Sequence, residues 1–107
     1  MRICIPVKED KGLESLAERN LALVQLYYIV DTKDNSITKI PKTGLNPLAP
    51  LENAWYDCII LQTLGKPAFE KFAQKRKRVY RTYPGNVGEN VDMARKAQLK
   101  EITSQDL

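Results

Sequence analysis

The stretch Asp57–Lys75, DCIILQTLGKPAFEKFAQK, changes periodicity at a single glycine. Before Gly65, Cys58 to Leu61 form an unbroken apolar run, the pattern of a strand buried on both faces in a parallel sheet. After it, Pro67 suits the first turn of a helix. Ala68, Phe69, Phe72 and Ala73 then recur on one helical face. A doubly buried strand feeding an amphipathic helix predicts an α/β sheet covered by helices.

The flanking sequence fits that unit. Met1, Ile3, Ile5 and Val7 alternate with Arg2, Cys4 and Pro6, which predicts a first strand. VQLYYIVD (24–31) is rich in strand formers, TKDNS has turn chemistry, and SITKI supplies a return strand, so 24–40 is a hairpin that Pro41 ends. In NPLAPLENAWYD (46–57), Asn46 is a candidate cap, Pro47 suits a first helical position, Pro50 is tolerable in the opening turn, and Leu48, Leu51 and Trp55 lie at helical spacing, predicting a short helix. RVYRTY (78–83) is a fifth strand, expected at a charged edge of the sheet. Asn86 and Glu89 form a capping-box pair for a last helix that presents Val91, Ala94 and Ala97 or Gln98 to the core. The expected order is β-β-β-α-β-α-β-α, in one domain over residues 1–107.

Composition narrows the chemistry. The chain has 107 residues, no histidine and two cysteines, so zinc patterns built from several Cys and His are excluded. Cys4 and Cys58 sit in apolar runs and read as packed thiols, a paired metal-binding role being the less common meaning. Histidine-assisted nucleophilic catalysis is excluded. Two-metal hydrolysis needs clustered carboxylates, whereas Asp31 and Asp57 fall at opposite ends of their strands without companions. No enzyme is expected. No apolar run reaches the ~18–20 residues of a membrane helix, and the N-terminus lacks signal-peptide character, so a cytoplasmic protein is expected.

The net charge of +4 is uneven, with ten basic and five acidic residues after position 60. KPAFEKFAQKRKRVYR holds most of the excess. The segment Lys71–Arg81, with Tyr80 and Tyr83 nearby, is a candidate surface for nucleic acid or an acidic partner; the plainer reading is a solvated face with cations at a helix end.

MRICIPV at the start, GLES at Gly12–Ser15, YYIVD closing the second strand, YDCIILQTLG, and the terminal YPGNVGENVDMARKAQLKEI occur in an order that resembles the dinitrogenase iron–molybdenum cofactor biosynthesis family (the NifX, NafY and NifB C-terminal domain type). The resemblance runs over nearly the whole chain and rests on the ordered set. It implies a ribonuclease H-like three-layer α/β sandwich with a five-stranded mixed sheet, and an accessory protein that binds or carries an iron–sulfur or molybdenum-containing cluster, with cluster-handling proteins as partners. It also implies that the strands bearing Cys4 and Cys58 are neighbours. Where the family has His-Phe-Gly before the second strand, this chain has Asn20-Leu21-Ala22; where it has a glycine-rich turn, this chain has Gln62-Thr63-Leu64-Gly65.

The resulting expectation is a non-catalytic cluster carrier, or a divergent member that has lost its cluster. A ligand is expected at the carboxyl edge of the sheet, between Arg19-Asn20 and the turn Gln62, Thr63, Gly65 and Lys66. The strand–helix turn at Gly65–Pro67 is where open α/β sheets receive anions, although a lone glycine there also serves as a plain turn. Asn20 could donate to a sulfide-rich anion beside Arg19, or simply shape a solvated loop.

Overall fold

A computed structural model describes all residues, Met1–Leu107. Its regular elements are β1 (Arg2–Val7), β2 (Leu26–Asp31), β3 (Ile37–Pro41), β4 (Cys58–Leu61), α1 (Lys66–Gln74), β5 (Arg78–Arg81) and α2 (Val87–Arg95), with short 3-10 turns between them. The five strands form one mixed sheet in the order β3-β2-β1-β4-β5. β2 runs antiparallel to β1 and β3, whereas β1, β4 and β5 are mutually parallel.

The doubly buried reading of β4 holds: Cys58 to Leu61 are at most 2% exposed. Alternation along the strands sends Ile59 and Leu61 to the face covered by α1, where they pack with Cys4, Tyr27, Ile29 and Phe72. Cys58 and Ile60 go to the face covered by α2, against Ile3, Ile5, Tyr28 and Val91. Each fully buried large aliphatic side chain contributes about 1.5–3 kcal/mol. The two cores rest on the same central strands, which is why β1 is apolar at Cys4 and Pro6 as well as at its alternate positions.

The hairpin turn forms as its residues suggest. Asp31 Oδ1 accepts from Lys33 N at 2.9 Å, and Asn35 takes the left-handed conformation at φ 59° that asparagine tolerates. The capping box is also present: Asn86 Oδ1 accepts from Glu89 N at 2.8 Å, and Glu89 Oε1 accepts from Asn86 N at 3.1 Å. β5 is an edge strand, as expected, but its outer side is not bare. Arg81 N donates to Lys100 O and Ile102 N to Val79 O, both at 2.8 Å, so the segment after α2 pairs along it.

The helix expected over 46–57 does not form; only a 3-10 turn, Ala49–Leu51, is present. The reason lies in Pro50. With Asn46 as cap, its carbonyl would accept the first helical bond from residue 50, and proline has no N–H to give. Asn46 O instead accepts from Ala49 N at 3.3 Å. Trp55, read at helical spacing with Leu48 and Leu51, is 72% exposed, with the Arg2 guanidinium 5.0 Å from its ring centroid. At the far end of the chain, Ala97 and Gln98 are exposed because α2 stops at Arg95 and Ala97 turns to φ 53°.

Candidate functional site

Because β1, β4 and β5 are parallel, their carboxyl ends share one edge, and the segments that follow them meet there. The segment after β1 does something the sequence did not suggest. Ala17 bridges Val7 and Leu16 bridges Asn86, while Lys8 N donates to Leu16 O and Glu18 N to Pro6 O, each at 2.9 Å. β2 already occupies the other side of β1, so Leu16–Glu18 lies in the lane of β4, just beyond Leu61. Ala17 N then donates to Gly85 O at 3.4 Å and Val87 N to Ser15 O at 2.8 Å. The chain thus plugs with its own backbone the crevice in which open α/β sheets usually receive ligands. Ser15 and Glu18 are buried by this arrangement.

The expected site residues lie on the outer side of that edge. Arg19 and Asn20 are exposed. The Asn20 side chain is engaged: its Oδ1 accepts from Ala22 N at 3.0 Å and caps the 3-10 turn Leu21–Leu23, while the Asn20 backbone N–H donates to Glu18 Oε2 at 3.2 Å. Thr63, Gly65 and Lys66 are exposed and Gln62 is half-buried. Gly65 N-caps α1 at φ −79° without a side-chain bond. An added Cβ there would meet nothing closer than Pro67 Cδ at 3.7 Å, so neither conformation nor packing demands glycine. Lys66 forms no ion pair. The fold places both groups of residues at one edge.

Two further side chains, Thr82 and Asn90, join Gln62 at this edge. Gln62 and Thr82 follow the paired residues Leu61 and Arg81, so both alternate onto the α2 face, and Gln62 Oε1 and Thr82 Oγ1 are buried without a hydrogen-bond partner. Asn90 is fully buried. Its Oδ1 accepts from Tyr83 N at 2.8 Å, and its Nδ2 donates to Tyr83 O at 3.0 Å and Asn86 O at 2.9 Å. The spacing of Asn90 four residues after the capping Asn86 was the available signal, since it puts an amide over the turn that precedes the helix.

The donor set does not fit a metal cluster ligated by side chains. Soft metals favour thiolate and imidazole, and the chain has no histidine. The register pairs Ile3 with Cys58 and Cys4 with Ile59, so the two thiols face opposite sides of the sheet and cannot share a metal. Burial pushes the Cys4 thiol far above its ordinary range and raises Cys58 to about 11. Asp31 and Asp57 are carried to the same amino edge, because β2 is antiparallel to β1, where Asp57 Oδ2 accepts from Arg2 N at 2.7 Å. No three His, Cys, Asp or Glu residues come together in a metal-binding group, and no helix is long and apolar enough to cross a membrane.

No protein-family model matches the chain, and no curated protein matches it. Solved structures do. A NifB-like protein from Thermotoga superposes with a TM-score of 0.77 at 25% identity, over 96% of this chain and 94% of that one. The apo orange protein of Desulfovibrio gigas gives 0.81 at 14% identity, over 95% and 92%. A dinitrogenase-like protein from Methanocaldococcus jannaschii gives 0.76 at 18% identity, over 96% and 95%. The chain shares a fold with nitrogenase-related proteins.

On that nitrogenase-related fold the basic segment Lys71–Arg81 is not one continuous stripe. Lys71, Lys75, Arg76 and Arg78 are exposed and form no ion pair with a carboxylate. Lys77 is used internally: its Nζ donates to Tyr56 O and lies 4.5 Å from the Tyr56 ring centroid. Arg81 is half-buried, and its Nε is buried without a partner.

Proposed function

We propose that this protein is a non-catalytic accessory protein of the nitrogenase-cofactor type, built as a ribonuclease H-like sandwich, whose cargo is an anionic metal–sulfur cluster. The observation that carries this reading is the likeness, over nearly the full chain, to a NifB-like protein and the orange protein. The cargo is received at the carboxyl edge by Arg19, Asn20, Gln62, Thr63, Gly65 and Lys66. Because the donors do not suit direct ligation, the cluster is held as an anion, by the charges of Arg19 and Lys66 and by amide and hydroxyl donors. Sulfide and thiolate give such clusters a negative charge that nearby cations offset. The cytoplasm and cluster-handling partner proteins belong to the same proposal.

The test is anaerobic reconstitution with iron, sulfide and molybdate or copper, followed by metal analysis and visible spectroscopy. The expected result is retained metal with charge-transfer absorbance, abolished by the double charge reversal Arg19→Glu and Lys66→Glu and kept in Cys58→Ala. Protein that emerges without metal or absorbance overturns the reading.

A further inference from the structure

A cavity of about 220 Å³ lies between the connection 46–57 and α1. Leu48, Leu51, Tyr56 and Phe72 supply its apolar wall, and Lys71 and Lys75 line it from successive turns of α1. An apolar cavity of roughly 150 Å³ is enough to admit benzene, so this one accommodates a substituted single ring.

Three observations say what kind of ring. Lys71 and Lys75 are like charges at i and i+4, a mildly unfavourable pair, and neither is neutralised by a carboxylate of the chain within ion-pair distance. Glu52 also lines the cavity, leaving one net positive charge among the three groups. Tyr56 is only 2% exposed, yet its hydroxyl has no hydrogen-bond partner in the chain, in contrast to Tyr27, whose hydroxyl donates to Pro47 O at 2.6 Å. The Tyr56 hydroxyl is not among the buried unpaired polar atoms, so it stays accessible to a partner from outside the chain. Burial raises the Tyr56 pKa, so at neutral pH the hydroxyl is protonated and able to donate.

We propose that this cavity binds a small hydroxyaromatic carboxylate, with its ring against Leu51 and Phe72, its carboxylate on Lys71 and Lys75, and its ring hydroxyl on Tyr56. The site shares no residue with the carboxyl-edge set and needs no metal, so its test is independent of cluster binding.

Titration of the full-length protein, followed by amide and methyl NMR, compares four probes: 4-hydroxyphenylacetate, phenylacetate, tyramine and acetate. The expected result is saturable shifts around Ala68, Lys71 and Phe72 with 4-hydroxyphenylacetate, weaker saturation with phenylacetate, and none with tyramine or acetate. Lys71→Gln with Lys75→Gln should weaken 4-hydroxyphenylacetate about tenfold or more, as for loss of a charge-assisted hydrogen bond. Tyr56→Phe should erase its advantage over phenylacetate. Ala68→Leu, on the half-buried wall, should block binding while leaving the thermal unfolding midpoint nearly unchanged. Absence of saturation by about 20 mM, which excludes a Kd of roughly 5 mM or tighter, equal binding of tyramine or acetate, or indifference to the lysine substitutions would overturn the proposal.

Discussion

Cys4 and Cys58 lie on adjacent parallel strands but on opposite faces of the sheet, because the ladder sets Cys4 against Ile59 and Cys58 against Ile3. Each thiol is therefore sealed in a different core. Neither can reach the other without a one-residue slip, which would turn every side chain of a strand to the wrong face.

Alkylation follows from this. In native protein at pH 8 both thiols should resist iodoacetamide, since the reactive thiolate is scarce and buried. In denaturant, mass spectrometry should show two added groups per chain, matching the two free cysteines. Rapid native labelling, or a disulfide in the purified protein, would contradict the structure.

Asn20 is expected to matter as a cap. Asn20→Ala should lower unfolding free energy by about 1 kcal/mol, the usual loss of a cap, and Asn20→Asp should retain most of it. Urea denaturation of the variants measures both. An Ala variant as stable as the parent would mean the bond from Ala22 N contributes nothing.

The Tyr28 hydroxyl donates to Asp10 Oδ1 at 2.5 Å, and Lys39 Nζ donates to its Oδ2 at 2.9 Å. The Tyr28 bond first, then Lys39, hold the Asp10 carboxyl below its usual range; hydrogen bonds from Ser36 do the same for Asp34, and those from Thr103 with the nearby Lys100 for Asp106. A lowered folded pKa gives stability that is present above the unfolded value, near 4, and lost as pH falls through the folded value. Stability should therefore drop below pH ~4, and Asp10→Asn should make that decline shallower. Thermal unfolding from pH 6 to pH 2 checks it; an unchanged slope would remove Asp10 from the account.

Asn90 pins the turn between β5 and α2 with three hydrogen bonds. Asn90→Ala should cost about 2–4 kcal/mol, because it leaves buried backbone groups of that turn unpaired. A loss below 1 kcal/mol in denaturant titration would show that water replaces the amide freely.

Much of the architecture was legible because it is local. The apolar run Cys58–Leu61, the alternation of β1, the Asp-Asn-Ser turn and the Asn86–Glu89 box each specify their element within a few residues. The missing helix was not legible, because Pro50 reads as tolerable in an opening turn, and its lost N–H is decisive only with Asn46 as the cap. The edge location of the candidate site followed from strand direction, but the engagement of Asn20 as a cap did not, since asparagine serves a cap and a ligand equally well.

By itself, the sequence determined the five strands, the two helices that follow Gly65 and Asn86, the absence of imidazole and the basic excess of the second half. The tertiary structure decided which residues meet. The Leu16–Glu18 plug depends on β4 ending at Leu61 and freeing a lane beside β1; the separation of the thiols depends on register; and the cavity depends on how a proline-broken connection lies against α1. Each is a contact between segments distant along the chain, set by the burial of two sheet faces at once, and no local pattern encodes it.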